Sequence, residues 1–520
     1  MHKATPYHPI LAAAAPVLLL LSANAGVAPP TSALRAVAVA VAFVIVLWAV
    51  LALALRSIDR AAAPTTVLVL FGAILMPVHR AVIGLPWIDT FSQRLVAGGF
   101  IAAIGLLIVA LVIRHILVRS NPPAVNGVLN LLLLCVVVVP VANIAWVSLS
   151  DTGETGLVSP PPTDTSQVKH RPDVYYLIPD SYGRADVLEE TYGYDNSGFL
   201  RQLEDLGFIV ADESTSNYAH SALSIPSSLN MSFITPPGGK LRAADYFAPR
   251  HALLENAVMR AFSEAGYVTV AHSSGYSLTE ITTAEIYRGR FAINEFEHIA
   301  GSTFLHPRLW RYLSTRLPGA ASKYARVTST LADLGDERRR SEPVFVFAHF
   351  LAPHTPYEFN RDGTRRGARD DAASSHESAY ITEVQGLNTH LLEAVRGILA
   401  ASDDPPVIII QSDHGPGGRV DWSDLQRSDD WQNVDVDDAD IRARMCILNA
   451  YLVPEEMRGA LYPEISPVNT FRLILNYCLD ADIPLVEDRA FFSTWGGDYD
   501  FEDVTDLVRE DDDGQAFAAQ

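Results

Sequence analysis

Asp413 and His414 are adjacent residues whose side chains could hold a metal ion. They lie in the segment 406–418, which has the sequence PVIIIQSDHGPGG. The β-branched run 407–410 predicts a strand buried on both faces, and the glycines and proline that follow predict a loop. Ligands of open α/β sheets bind beyond the carboxyl ends of strands, where an aspartate beside a histidine suits zinc or manganese.

A second predicted strand also ends in an acid. Residues 173–180, DVYYLIPD, place Asp180 at a strand terminus. A catalytic metal centre needs about three protein ligands and one reactive position. The candidates for a reactive hydroxyl lie in 217–231, NYAHSALSIPSSLNM. A serine at a helix N-terminus gains from the helix dipole and from backbone N–H groups that bind anions.

Strands and helices alternate in the part of the chain that carries these residues. The apolar runs 173–180, 208–210, 267–271, 343–351, 407–410 and 446–453 predict strands. Helical spacing of apolar residues predicts helices over 196–207, 253–266, 377–400 and 467–478. This order is typical of an α/β domain with a mostly parallel central sheet.

The first 150 residues are a separate, apolar region. Five stretches could span a membrane, over 9–27, 37–55, 65–78, 95–113 and 125–149, and His79 and Arg80 interrupt the third. The first could instead be a cleaved signal peptide, since Lys3 precedes an apolar core and the small residues of 23–25. The sequence thus predicts an N-terminal helical membrane domain with about five spans.

Charge patterning predicts how this region is oriented. Basic residues favour the cytoplasmic side when the N-terminus is inside, and an odd number of spans then places everything after residue 150 on the outer side. The chain has a net charge of −21, and only Asp59 and Asp89 are acidic before residue 151. An acidic outer domain argues against nucleic acid as a partner, because phosphate contacts require basic groups.

These features divide the chain into four predicted regions. They are a membrane domain over 1–150, a proline-containing linker over 151–171, an α/β domain over 172–495 and a poorly ordered acidic tail over 496–520. Cys446 and Cys478 lie in apolar segments, where they could be buried free thiols or a disulfide.

The ordered set of motifs resembles the alkaline phosphatase and sulfatase superfamily. The set comprises Asp180, a hydroxyl at a helix start, His354 in a PHTP turn, and SDHG over 412–415. Within the superfamily, five spans followed by an outer catalytic domain resemble the lipoteichoic acid synthases and the lipid A phosphoethanolamine transferases. The resemblance covers roughly residues 172–480 and, through topology, the membrane region.

The resemblance implies a metal site with a serine nucleophile. Asp180, Asp413 and His414 match the family's metal ligands, and Ser221 matches the nucleophile that also contacts the metal. Family transferases carry threonine there, with a serine three residues later, an offset that Ser221 and Ser224 reproduce. Ser224 is the alternative nucleophile, because SIPSS over 224–228 imitates the sulfatase signature.

The resemblance also implies residues that bind the substrate. His349 and His354 reproduce the family's pair of histidines, which hold substrate oxyanions or a second metal. Arg419 could neutralise a phosphate, or it could be a solvated surface residue. Arg184 and His272 are weaker candidates of the same kind.

Together these observations predict a metal-dependent transferase or hydrolase at the outer face of the cell membrane. It would act on phosphodiesters or phospholipid head groups through a covalent serine intermediate, and an envelope glycan could accept the group. Magnesium and calcium are alternatives to zinc and manganese. Two other functions stay open, which are sulfate ester hydrolysis on the same scaffold and non-catalytic binding of envelope polymers.

Overall fold

The structure is a computed structural model of the 520-residue chain. It describes residues 5–25, 28–83, 91–119, 122–150, 156–236, 248–289, 293–314, 322–337, 342–367, 375–417, 436–493 and 499–509. The chain divides into two compact units. One consists of Met1–Thr152 with Ile293–Ala320, and the other of Gly153–Ala292 with Ala321–Gln520.

The first unit begins with apolar helices. Its first five α-helices in the described ranges are α1 (His8–Ala23), α2 (Leu34–Leu55), α3 (Ile58–Ile83), α4 (Phe91–Arg119) and α5 (Pro122–Ser150). Of these, α2 to α5 are long and apolar enough to cross a membrane, whereas α1 has 16 residues. His79 and Arg80 lie within α3 and do not end it. The protein is therefore anchored in a membrane by N-terminal helices, as the sequence predicts.

Strands and helices then alternate through the rest of the chain. The described strands are β1 (Val174–Asp180), β2 (Ile209–Val210), β3 (Val268–His272), β4 (Ile286–Arg288), β5 (Val344–Pro353), β6 (Val407–Gln411), β7 (Asn449–Leu452), β8 (Phe491–Phe492) and β9 (Glu502–Asp503). The described helices are α6 (Ala185–Tyr192), α7 (Ser197–Asp205), α8 (Ser221–Asn230), α9 (Ala248–Leu254), α10 (Ala257–Glu264), α11 (Glu295–Phe304), α12 (Pro307–Ser314), α13 (Lys323–Asp333), α14 (His376–Ala401), α15 (Asp438–Met445), α16 (Glu455–Arg458), α17 (Pro467–Leu479) and α18 (Thr505–Val508).

Helices α11 and α12 belong to the membrane unit although they follow β4 in sequence. The Asn294 side chain accepts the Glu297 N–H at 2.8 Å, and the Glu297 carboxylate accepts the Asn294 N–H at 3.0 Å, which forms a capping box. Glu297 also pairs with Arg35 at the start of α2. Helix α11 buries Phe296 and Ala300 in a cluster with Val17, Leu21, Ala28 and Ala33. The α/β domain predicted over 172–495 therefore includes a segment, Ile293–Ala320, that belongs to the first unit.

The second unit is built on one central sheet. Within the described residues it has seven strands in the order β2–β7–β6–β1–β5–β3–β4, and β1 pairs in parallel with both β5 and β6. Strand β7 is antiparallel to its neighbours. This mostly parallel sheet confirms the predicted fold class.

The β-branched and aromatic residues of the central strands explain why the sheet is buried on both faces. Tyr176 and Ile409 face one apolar cluster with α8, α10 and α17, whereas Leu177 and Ile410 face another with α13 and α14. Side chains alternate between the faces of a strand, so each strand contributes to both cores. The sheet is thus a rigid support for whatever follows its strand ends.

The predicted linker and the predicted C-terminal tail both differ from what the sequence predicts. In the predicted linker, Leu157 is buried and its carbonyl accepts the Thr235 N–H at 2.7 Å, so the described part packs along the α/β unit. In the tail expected to be poorly ordered, residues 499–509 include β9 and α18, because Val504 and Val508 are buried in an apolar cluster. Cys446 and Cys478 are buried free thiols.

Candidate active site

Two acids lie at the carboxyl ends of adjacent central strands. Strands β1 and β6 run parallel with Leu177 opposite Ile410, so Asp180 at the end of β1 and Asp413 just beyond β6 reach the same edge of the sheet. The next residue, Ser181, has φ 67°, and its N–H donates to the Asp413 carboxylate at 3.2 Å. The chain reversal after β1 therefore ties the two acids together.

Asp180, Asp413 and His414 form a buried group of metal-ligand type. Their ligand atoms all lie within 4.8 Å of one another. His414 Nδ1 is 2.9 Å from the Gly415 carbonyl. Since a carbonyl only accepts, Nδ1 carries the proton, and the Nε2 lone pair is left for a ligand. This tautomer is the one in which a histidine binds a metal through Nε2.

Ser221 lies beside this group at the first position of α8. Its Oγ is 3.3 Å from His414 Nε2. His220 is in an extended conformation at the helix start, which turns the serine toward the strand ends. The alternative nucleophile, Ser224, lies one turn further into the helix, where its Oγ is 3.3 Å from Ser216 Oγ. Of the two serines, Ser221 is thus the one that contacts the Asp180, Asp413 and His414 cluster, through His414.

The two predicted substrate-binding histidines have different surroundings. His349, on β5, is buried, and its Nε2 is 3.7 Å from one carboxylate oxygen of Asp180 and from one of Asp413. His354 is exposed, with Nδ1 2.7 Å from the Thr355 carbonyl, and the structure does not bring its imidazole into the cluster. Arg419 lies outside the described residues.

The weaker candidates, Arg184 and His272, are both buried in ion pairs. Arg184 binds Asp186 at 2.6 Å. His272 is 3.5 Å from Glu337, whose carboxylate also accepts two hydrogen bonds from Arg288. These contacts are of the kind that structural ion pairs make.

The structure adds Arg444, which sequence reasoning missed. Its Nε donates to the Ala219 carbonyl at 2.7 Å, and its Nη2 is 3.3 Å from His414 Nε2. Arg444 is in α15, 30 residues beyond His414, and no spacing rule connects the two. The one feature of the sequence that could have indicated Arg444 is its position in the segment 441–445, IRARM, directly before an apolar predicted strand.

Charge and burial set the protonation states in the cluster. Burial raises the pKa of the Asp413 carboxyl, but electrostatic interaction with the neighbouring imidazoles of His414 and His349 outweighs it and holds that pKa below its usual range. Burial, reinforced by the nearby Arg444 guanidinium, lowers the pKa of His414 to about 4. At neutral pH, Asp413 is therefore ionised and His414 is neutral, which are the states that metal binding requires.

The donor set fits a divalent metal ion. It combines two carboxylates, one imidazole and one hydroxyl, which suits zinc or manganese. Asp413 Oδ2 and His349 Nε2 are buried without a hydrogen-bond partner. Buried polar atoms are rarely left unpaired, and a ligand such as a metal ion accounts for an unpaired carboxylate oxygen.

A mostly parallel sheet with acids at its strand ends and a serine at a facing helix start defines an α/β protein with a ligand site beyond the carboxyl ends of its strands. The sequence profile of the family described as Sulfatase matches residues 172–436. This match covers more than half of the chain, and the protein belongs to the sulfatase family.

Other comparisons gave distant likenesses. The C-terminal periplasmic domain of EcEptC from Escherichia coli, solved in complex with Zn, is 12% identical over 66% of this chain and 96% of that one, with a TM-score of 0.43. The integral membrane protein lipooligosaccharide phosphoethanolamine transferase A from Neisseria meningitidis is 12% identical over 76% and 70%, with a TM-score of 0.39. A protein of the alkaline phosphatase superfamily from Vibrio parahaemolyticus is 12% identical over 67% and 81%, with a TM-score of 0.38. No curated protein sequence matches the chain.

Proposed function

We propose that this protein is a metal-dependent transferase or hydrolase of phosphodiesters or phospholipid head groups, with Ser221 as its nucleophile. The observation that carries the proposal is the contact of Ser221 Oγ with His414 Nε2, beside the carboxylates of Asp180 and Asp413. The Ser221 hydroxyl is buried against this metal-type cluster at the start of α8. Nucleophilic catalysis requires a hydroxyl beside a group that activates it, and a metal ion in the cluster would be such a group.

The proposed metal site consists of Asp180, Asp413, His414 and the Ser221 hydroxyl. A divalent ion bound there lowers the pKa of a hydroxyl and stabilises negative charge on a phosphoryl group. The sheet holds both carboxylates, and the Gly415 carbonyl fixes the His414 ring. The chain thus supplies preorganised ligands, so little reorganisation is needed during the reaction.

The proposed reaction has two displacement steps at phosphorus. Ser221 Oγ loses its proton to water and attacks, so that its bond to phosphorus forms while the bond to the lipid alcohol breaks. The alcohol takes up a proton as it leaves. In the second step, the hydroxyl of a glycan or of water attacks the phosphoserine, and Ser221 is released and protonated again.

Trapping the covalent intermediate tests this proposal. The full-length protein, in detergent with zinc or manganese, would be incubated with phosphatidylethanolamine or phosphatidylglycerol and acid-quenched. Phosphatidylethanolamine is included because one of the structures similar to this chain is a phosphoethanolamine transferase. We expect peptide mass spectrometry to find the head-group phosphate on Ser221, with the mass increase identifying the group.

Two variants separate the candidate nucleophiles. Ser221→Ala should abolish the adduct, whereas Ser224→Ala should keep it, because the Ser224 hydroxyl contacts Ser216, in the segment before α8, rather than His414. An adduct on Ser224, or none with any lipid, would contradict the proposal.

Sulfate ester hydrolysis is the second candidate, favoured by the family match and by the SIPSS segment. A sulfatase of this family uses formylglycine, and here Ser228 stands where the modification signature has arginine. Ser228 is buried, with its Oγ 3.0 Å from the Tyr176 hydroxyl. Unmodified Ser224 in the intact protein would exclude this function. Absence of stoichiometric metal, with function intact in Ser221→Ala, would instead favour non-catalytic binding of envelope polymers.

The proposed location is the outer face of the cell membrane. The support is the distribution of basic residues around the apolar helices, which favours an inside N-terminus. Asp480 is exposed in the α/β unit and serves as a reporter position. We expect Asp480→Cys to react with a membrane-impermeant maleimide in intact cells. Labelling that requires lysis would place the domain inside.

A further inference from the structure

Arg444 is held between the segment just before the candidate nucleophile, Ser221, and the residue just after the candidate metal ligand, His414. Its Nε donates to the carbonyl of Ala219, two residues before Ser221, at 2.7 Å. Its Nη1 donates to the carbonyl of Gly415, directly after His414, at 3.4 Å. The guanidinium is therefore fixed in place, and 7% of the residue surface is exposed.

The third nitrogen of this guanidinium, Nη2, faces the proposed metal site. Nη2 lies 3.3 Å from His414 Nε2, the same atom that contacts Ser221 Oγ. Burying a cation is costly unless opposite charges compensate it, and the compensating groups here include Asp413 and Asp180. These two carboxylates belong to the proposed metal site, so the charge of Arg444 lies at the proposed active centre.

The described residues contain one group of three or more metal-ligating side chains, which is Asp180, Asp413 and His414. Resting on the function proposed above, we propose that Arg444 is the second cation of the active centre. One metal ion and one guanidinium, rather than two metal ions, would face the transferred phosphoryl group.

A guanidinium suits this role for chemical reasons. It stays charged at physiological pH, and its planar donors match the oxygens of a phosphoryl group. Nη2 lies 3.3 Å from His414 Nε2, which places it at the position beside Ser221. Negative charge on the phosphoryl oxygens grows as the nucleophile attacks, so a fixed cation there would lower the barrier.

Three variants test this role. Arg444→Ala should slow formation of the phosphoserine by about 100- to 1,000-fold, as loss of one fixed transition-state donor does. Arg444→Lys should recover part of the rate, and guanidinium ions added to Arg444→Ala should recover part as well. Arg442→Ala is the matched control on α15, since Arg442 binds Asp186 at 3.3 Å, and its rate should stay within a few-fold of the unmodified protein.

Two readouts do not depend on turnover. Elemental analysis after metal loading should give one ion per chain in the unmodified protein and in Arg444→Ala. Vanadate should bind the loaded Arg444→Ala protein at least tenfold more weakly than the unmodified protein. Thermal unfolding of each variant identifies any that fails to fold, in which case Arg444→Lys and the metal count decide.

The outcomes are distinct from those for the function itself. Two ions per chain in the unmodified protein would overturn the role of Arg444. So would a rate or vanadate affinity that Arg444→Ala leaves unchanged, or equal losses in Arg444→Lys and Arg444→Ala without rescue by guanidinium. A missing serine adduct in the unmodified protein would refute the proposed function, while the metal count and vanadate binding still test Arg444.

Discussion

Removing the amino group of Lys323 should strongly destabilise the α/β unit. Lys323, at the start of α13, donates to the Glu383 carboxylate of α14 at 2.6 Å and to the His354 carbonyl at 2.6 Å. The side chains of Lys323 and Glu383 are 7% and 0% exposed. Lys323→Met would keep the apolar stem but leave a buried carboxylate without its cation.

The expected loss follows from the remaining contacts. Breaking a buried ion pair on one side costs about 3–5 kcal/mol. Glu383 keeps hydrogen bonds from the Glu358 and Phe359 N–H groups at 2.7 Å each, which favours the lower end, about 3 kcal/mol. The His354 carbonyl loses a charged donor, which adds about 1 kcal/mol. We expect a total loss of about 4 kcal/mol, a large part of the usual stability of a domain.

The loss should also depend on pH in a defined direction. Burial raises the pKa of Glu383 more than Lys323 lowers it, so the folded pKa lies above the unfolded value. An acid of this kind binds its proton more tightly when folded, and stability increases as the pH falls. Without Lys323 the increase is larger, so Lys323→Met should regain stability when the pH is lowered from 7 toward 5.

Urea unfolding of the full-length protein in detergent, followed by circular dichroism, measures these quantities. Glu383→Gln combined with Lys323→Met should recover at least half of the loss, because a neutral amide can accept the two N–H groups. The control is Lys169→Met, whose partner Asp480 is exposed, with an expected change within about 0.5 kcal/mol. A loss below about 1 kcal/mol for Lys323→Met, or no recovery in the double variant, would refute the reasoning.

Three further predictions concern the site and the sheet edge. Asp413→Asn should lower the affinity for zinc at least tenfold, because it removes the charge of a buried ligand. Competition with a chelator measures this affinity, and an unchanged value would exclude Asp413 as a ligand. Gly415→Ala should abolish adduct formation and lower the melting temperature, because the added Cβ would lie 2.0 Å from the Ala443 carbonyl oxygen. A variant as stable and as active as the unmodified protein would contradict this prediction. Burial raises the pKa of Glu337, but the neighbouring His272 and two hydrogen bonds from Arg288 bring it down to about 2. The stabilisation by Glu337 is therefore complete above the unfolded pKa and is lost as the pH falls from about 4.5 to 2. Glu337→Gln should flatten the stability profile in this pH range, and an unaltered slope would count against the pairing.

The fold was predictable because its signals are local. The β-branched and aromatic runs that form β1, β5 and β6 are apolar apart from Asp180, His349 and Gln411, so each was predictable as a strand buried on both faces. Asp180 and Asp413 follow two such strands directly. Parallel strands end at a common sheet edge, so the sequence sufficed to predict that these acids meet.

Other parts of the site depend on tertiary packing. Arg444 reaches the centre through the placement of α15 beyond the motif, which no local pattern indicates. The imidazole of His354 was expected to contact substrate, but in the structure it is the backbone carbonyl of His354 that is bound, by the Lys323 amino group. The direction of a side chain in a turn depends on contacts made by distant helices, and a single sequence does not contain them.

The insertion of α11 and α12 into the α/β sequence has a practical consequence for making the catalytic part as a water-soluble protein. A chain cut at residue 153 would still carry residues 293–320, while Val17, Leu21, Ala28 and Ala33, which cover Phe296 and Ala300, would be lost. The freed apolar surface would promote aggregation during expression. Replacing 293–320 by a short glycine–serine bridge should give a better-behaved soluble enzyme than truncation alone.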